Sequence, residues 1–136
     1  MSNLLASIGF SQMKELILYQ EREKKYIKFI KKNLKKILYL QLFDKNTSPV
    51  PWALTIKLNT KFTQKKRDLI IKKLRKNKIE ARNGYYSPNE LPIFGKIKKI
   101  PNSSYLSKRT ISLPYFEELK EKEIHFVCEK LDSIKL

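Results

Sequence analysis

Two side chains with nucleophilic or acid–base capacity lie close together near the end of the chain: His125 and Cys128 are three residues apart. On a helix that spacing makes them neighbours, and a thiol beside an imidazole is the beginning of a nucleophilic pair. Nothing completes it. The 136 residues contain one cysteine and one histidine. That excludes an internal disulfide and a cysteine-based zinc site, and it leaves too little for a Ser–His–Asp triad or a histidine metal cluster. Cys128 adjoins the apolar stripe of its segment and reads as a small buried hydrophobe. His125 falls off that stripe and reads as solvated. No catalytic residue and no metal ligand is assigned.

Trp52 invites a base-stacking role, and a net charge of +17 invites an anionic partner. Both readings weaken on inspection. Trp52 stands in an alternating segment, which favours core packing. The excess charge is nearly all lysine, with arginine only at positions 22, 67, 75, 82 and 109. Base-edge and bidentate phosphate readers favour arginine, and the lysines are spread over the whole chain as on solvated helix faces. Nucleic-acid binding is therefore expected to be weak and nonspecific. A hydrophobic content of 41% is enough for a core, and the length is that of one domain. The start of the chain carries no basic region or cleavage signal and is too short for a membrane span. Cytoplasmic residence is expected.

The elements follow from periodicity. Residues 3–37 read as one long helix, capped by Ser2 or Asn3, with Leu16, Ile17, Ile27, Ile30, Leu34 and Ile37 at helical spacing. Its first turns already carry Leu4, Leu5, Ile8, Phe10 and Met13. Gly9 weakens them, so a small residue is expected to be required there by something outside the helix. Residues 37–42, ILYLQL, fit either the end of that helix or a short strand. A loop follows at 43–51. WALTIKL (52–58) alternates as a half-buried strand. Thr63 caps a helix over 64–77 with Leu69, Ile70 and Leu74 inward. KIEAR (78–82) reads as a short strand, NGYYSPNELPIFGK (83–96) as an aromatic loop, and RTISLP (109–114) as a strand stopped by Pro114. The last helix, about 120–134, turns Ile124, Val127, Leu131 and Ile134 inward. Glu123 sits where a capping-box carboxylate belongs, but no Ser or Thr occupies the cap. The order α, β, α, β, β, α predicts an α+β domain, a small sheet covered by helices.

Three segments resemble, in order, patterns of the DegT/DnrJ/EryC1/StrS aminotransferases. MSNLLASIGFSQMKEL resembles R-M-S-N-L-x-A-A-I-G-x-x-Q-L. RDLIIKKLRKNKIEARNGYYSPNELPIF resembles R-x-x-L-x-x-x-L-x-x-x-G-I-E-T-R and the aromatic, proline-containing loop after it. YLSKRTISLPYFEELKEKEIHFVCEKL resembles L-S-x-R-x-L-S-L-P followed by a helix with E-I-x-x-V. Together they span nearly the whole chain, and the serine–leucine–proline strand with its helix is the most specific.

The resemblance implies a portion of a fold-type-I enzyme dependent on pyridoxal phosphate, which moves an amino group from glutamate or glutamine onto a keto-sugar nucleotide. It implies residues 1–37 as a helix linking to a large domain and 38–136 as the small domain. The first methionine then matches an internal position of the family. The cofactor lysine and the aspartate that pairs with the pyridine nitrogen belong to segments upstream, so no cofactor-binding residue is carried over, and the chain alone is expected to be inactive and to bind no cofactor covalently. Arg82 matches the arginine of the family's substrate loop, and Tyr85 and Tyr86 match its aromatics. Where many members have a histidine, Asn89 or Glu90 stands here. A guanidinium and tyrosine hydroxyls near a phosphate would gate substrate; the plain alternative is a surface loop packed by its own aromatics. The apolar opening helix implies a homo-oligomer through this segment. The other reading of the whole chain is a stand-alone basic binding or regulatory module, which requires cations gathered on one surface.

Overall fold

The structure, a computed structural model, describes residues 2–33, 38–40, 46–47, 53–95, 100–116 and 118–134. Helix α1 runs Asn3–Asn33, with the Leu5 amide 3.4 Å from the Ser2 hydroxyl that caps it. Strands β1 (Leu38–Leu40) and β2 (Leu54–Leu58) follow, then α2 (Gln64–Lys76), β3 (Arg82–Asn83), α3 (Pro101–Ser107), β4 (Thr110–Leu113) and α4 (Glu121–Ser133). Two short 3-10 turns, Pro88–Glu90 and Pro92–Phe94, lie between β3 and α3. The expected residues 34–37 of the first helix and Trp52 lie outside the described residues.

The sheet is antiparallel throughout, in the order β1-β2-β4-β3. Of the segment 37–42, Leu38–Leu40 therefore form a strand paired with β2. Alternation in β2 sends Leu54, Ile56 and Leu58 inward, and β4 adds Ile111 and Leu113 opposite them. On the other face Thr55 and Ser112 meet at 3.4 Å. Pro114, with no N–H to donate, follows the last residue of β4.

The helices complete one core. Ile124, Val127, Cys128 and Leu131 of α4, Ile70, Ile71 and Leu74 of α2, and Tyr26 and Ile30 of α1 join the inward strand residues. Each such side chain contributes about 1.5–3 kcal/mol on full burial. One expected core residue is corrected: Leu69 is 46% exposed. The inward stripe of α2 runs 67, 70, 71, 74, the i, i+3, i+4, i+7 face, and Leu69 is off it. A second correction concerns residues 78–82, of which only Arg82 pairs, together with Asn83, against β4.

The preceding backbone closes α2 instead. Ile79 donates to the Leu74 carbonyl at 3.1 Å and Lys78 to that of Arg75 at 2.9 Å, a Schellman closure with Leu74 and Ile79 both buried. It places Lys78 at φ 59°. At α2's start Thr63 accepts from the Lys66 amide at 3.4 Å. Glu123 accepts from the Lys120 amide at 2.7 Å, the carboxylate half of a capping box.

The first half of α1 leaves its apolar side chains open to solvent. Leu4, Leu5, Phe10, Met13 and Ile17 are each more than half exposed, and a Cβ at Gly9 would meet nothing within 4 Å. Among the described residues nothing demands a small residue there.

Candidate substrate loop and its clefts

The loop after β3 is held at both ends. At its start Gly84 donates to the Thr110 carbonyl at 3.0 Å. A Cβ on Gly84 would collide with the Thr110 hydroxyl and come within 2.6 Å of the Thr110 Cβ. Only glycine lets the backbone approach β4 so closely. Further along, Ser87 is fully buried and hydrogen-bonded to the Asn89 carboxamide oxygen. The Ser104 hydroxyl of α3 lies 3.0 Å from that oxygen and 3.3 Å from Ser87 Oγ. Glu90 accepts from Ser107 Oγ at 2.6 Å.

Beneath this contact lies Arg67, only 2% exposed. Its Nη1 donates to the Ser107 carbonyl at the end of α3, and its Nη2 pairs with Asp68 at 2.7 Å. A buried guanidinium is tolerated only when so satisfied. Arg67 thus ties α2 to the segment that holds the loop.

The four residues expected in the substrate loop do not converge. Tyr85 and Tyr86 are adjacent and line different concavities. Tyr85 lies on an apolar groove of about 1020 Å³ walled by Tyr115, Phe116, Leu119 and Phe126. Tyr86 lies on a cleft of about 810 Å³ against α2, bordered by Lys72, Arg75 and Lys76. Arg82 and Asn83 border both. Asn83 donates to the Tyr86 hydroxyl at 3.0 Å, which fixes the second ring. Arg82 is ion-paired with Glu80, both ends well exposed. Asn89 lines neither concavity and is spent on Ser87 and Ser104. Sequence pattern singles out neither Asn83 nor Arg67 nor the serines of α3. An arginine within the apolar stripe of α2 is the one signal in the sequence that points to this network.

Cys128 is buried, and burial together with the nearby Asp132 charge pushes its thiol up to about 11. That removes the thiolate a nucleophile requires. His125 is exposed on the same helix. Among the described residues no group of three metal-capable side chains occurs, and no helix is long and apolar enough to cross a membrane.

The comparisons with known proteins agree with this architecture. GDP-perosamine synthase of Escherichia coli O157:H7 is 25% identical over 134 residues, 98% of this chain and 36% of that enzyme. Among solved structures, the putative sugar aminotransferase Spr1654 from Streptococcus pneumoniae superposes with a TM-score of 0.86 at 18% identity, covering 96% of this chain and 34% of its own. DesI, solved with its TDP-sugar product, gives 0.80 at 21% identity over 96% of this chain and 35% of its own. The chain thus spans about a third of the length of these relatives. The model of the DegT/DnrJ/EryC1/StrS aminotransferase family matches residues 1–132, and the chain belongs to that family.

Proposed function

We propose that this chain is the small-domain portion of a nucleotide-sugar aminotransferase and that the Arg82–Asn89 loop faces a keto-sugar nucleotide in the whole enzyme. The observation that carries this reading is the family match across residues 1–132. The fixed backbone at Gly84 and the clamp on Ser87 support it, because a substrate loop must be held in one place.

In this reading the chain supplies no pyridoxal phosphate site of its own. Schiff-base chemistry requires a lysine desolvated in a pocket, and no lysine whose side chain the structure describes is buried. The two carboxylates bordering the apolar groove, Glu80 and Glu123, are engaged with Arg82 and with the Lys120 amide. In this reading the cofactor supplies the carbanion chemistry from a large domain outside this chain, and the chain alone is inactive. Residues 3–18 meet that domain or a second copy.

A chimera tests it. These residues replace the aligned third of GDP-perosamine synthase, and amino transfer from glutamate is measured beside the isolated chain. The chimera is expected to bind cofactor and turn over, with Arg82→Ala slowing it, and the isolated chain to give no product. A specific, stoichiometric aldimine on the isolated chain overturns the division of labour. A turning-over chimera indifferent to Arg82→Ala and Tyr85→Phe overturns the loop's role.

A further inference from the structure

Among the described residues three polar or charged side chains are buried: Arg67, Ser87 and Ser107. All three belong to one network around α3. That helix is seven residues long, well short of what stays helical alone in water. It also gives the apolar core nothing: none of residues 101–107 is in it, Leu106 is 44% exposed, and the one buried side chain of α3 is Ser107. Polar contacts hold α3 instead.

Its end is satisfied carbonyl by carbonyl. The last four carbonyls of a helix have no partner within it. Here Ser104 accepts from the Lys108 amide at 3.4 Å, Tyr105 from Arg109 Nη1 at 3.3 Å, and Leu106 from the Arg109 amide and from Thr110 Oγ1, both at 2.9 Å. The Ser107 carbonyl reaches across the fold to Arg67 Nη1, 40 residues earlier. The other two nitrogens of that guanidinium, Nε and Nη2, donate to Asp68 Oδ1 at 2.9 and 2.7 Å. Asp68 thus neutralises the charge and aims the third nitrogen at α3.

The side chains of α3 carry the loop. Ser104 and Ser107 are three residues apart, on one face of the helix. Their hydroxyls donate to Asn89 Oδ1 at 3.0 Å and to Glu90 Oε2 at 2.6 Å. The path is continuous: from α2 through Arg67 to the Ser107 backbone, then from Ser107 Oγ to Glu90 and the turn that follows Tyr85 and Tyr86. Stability does not explain an arginine at its origin. It interrupts the inward stripe 67, 70, 71, 74 of α2, and replacing a buried ion pair by an apolar side chain of similar size is often neutral or stabilising. What Arg67 adds is a fixed direction for α3.

We propose that Arg67 is a positioning residue for the loop 83–90, acting through Ser107 and Glu90, with α3 as the strut that transmits its hold. The strut needs only this chain; its consequence for substrate rests on the function proposed above.

Amide hydrogen exchange on the full chain, followed by NMR, tests the strut. The Glu90 and Leu91 amides, bonded to the Ser87 and Pro88 carbonyls at 2.8 and 3.1 Å, report the loop; amides of β2 and β4 report the core. Arg67→Met is expected to speed exchange at Glu90 and Leu91 by roughly tenfold or more, as loss of a charged hydrogen bond does, and at β2 and β4 by less. Arg67→Lys, which can still donate to the Ser107 carbonyl, is expected to keep part of the protection. Ser107→Ala is expected to speed the same two amides, and the double variant to add little to Arg67→Met, because both act along one path. Tyr26→Phe, which removes a hydrogen bond to the Pro114 carbonyl, is the control for general destabilisation and is expected to move loop and core together. Loop amides that do not move in Arg67→Met, or that move only as much as the core, overturn the proposal. Ser107→Ala leaves the guanidinium in place and keeps the test decisive if Arg67→Met does not fold: unchanged loop protection in it overturns the path through Glu90.

In the chimera with GDP-perosamine synthase, Arg67→Met is expected to raise KM for the keto-sugar nucleotide severalfold with a smaller change in kcat, and Arg67→Lys to recover part of it. A chimera that responds to Arg82→Ala but not to Arg67→Met overturns the positioning role and leaves the proposed function standing. A chimera indifferent to Arg82→Ala refutes the consequence for substrate, while exchange at Glu90 and Leu91 still decides the strut.

Discussion

Tyr26 donates its hydroxyl to the Pro114 carbonyl across 2.6 Å, although 88 residues separate them. Its ring also stacks on Tyr115, centroids 5.5 Å apart and planes within 21°. The bond joins the second half of α1 to the end of β4, where proline stops the ladder. Tyr26→Phe keeps the stack and removes the bond. Leaving the carbonyl unmet is expected to lower stability by about 1–2 kcal/mol, read as a lower urea midpoint at unchanged slope. An unchanged midpoint means that water replaces the hydroxyl without cost.

Lys78 stands just past the end of α2, where the aminotransferase pattern has glycine. It takes the left-handed conformation, φ 59°, that glycine adopts freely. For a residue with a Cβ that conformation costs roughly 1–2 kcal/mol. Lys78→Gly is expected to raise stability by about 1 kcal/mol or slightly less, because glycine also loosens the unfolded chain. Lys78→Ala, which keeps the strain, is expected to show no gain.

Gly84 gives the opposite sign. Its close approach to Thr110 leaves no room for a methyl group between them, so Gly84→Ala is expected to destabilise by about 1–3 kcal/mol, as overpacking does. Thr110→Ala is expected not to rescue it, since the Thr110 Cβ itself is only 2.6 Å from the added carbon. Rescue by Thr110→Ala would show that β3 simply moves away.

Cys128 makes stability depend on alkaline pH. Its thiol is raised from 9.0 to about 11, first by burial and then by Asp132. The folded state therefore holds the proton more tightly than the unfolded state. The resulting stabilisation is complete below about pH 9 and is lost as pH rises through 11. Tyr26 is shifted in the same direction, first by burial and then by Cys128. Cys128→Val is expected to flatten part of the fall in urea midpoint between pH 9 and 11 relative to wild type. Parallel curves for the two proteins would show that the thiol does not contribute.

The elements legible in the sequence are those with one uniformly apolar face. β2 and β4 alternate without exception, and α4 repeats its apolar residues at helical spacing; each lies within two residues of the bounds its pattern predicts. Where a residue serves two demands, the pattern misleads. Arg67 occupies an inward position of α2, so the apolar residues alone point to Leu69 in its place. Residues 78–82 have the alternation of a strand, with Ile79 and Ala81 buried, yet their backbone closes α2 and receives Arg75. α3 leaves no periodic trace because PNSSYLS is short and serine-rich, and its support comes from Glu90, Asn89 and Arg67, none of them next to α3 in sequence. The tyrosine pair is visible as a motif. That its members line different clefts depends on Gly84 and Asn83, which a motif does not encode.

The uncovered half of α1 carries the last prediction. Leu4, Leu5, Ile8, Phe10 and Met13 are 51–71% exposed, in contrast to Tyr26 and Ile30 further along the same helix, which are buried in the core. Each apolar side chain removed from water contributes about 1.5–3 kcal/mol, and an apolar cluster left open favours association. The dispersed positive charge opposes contact at low salt and is screened as salt rises. The isolated chain is therefore expected to self-associate through residues 3–16, most simply as a symmetric dimer, and more strongly at higher salt. Leu5→Ser with Ile8→Ser is expected to shift it to monomer in sedimentation, while the urea midpoint of the core, which rests on residues 26–30 and 53–134, stays unchanged. A wild-type chain that remains monomeric at high concentration and high salt, with the helix formed by circular dichroism, would show that this face does not bind its own copy and would leave a different surface as its partner.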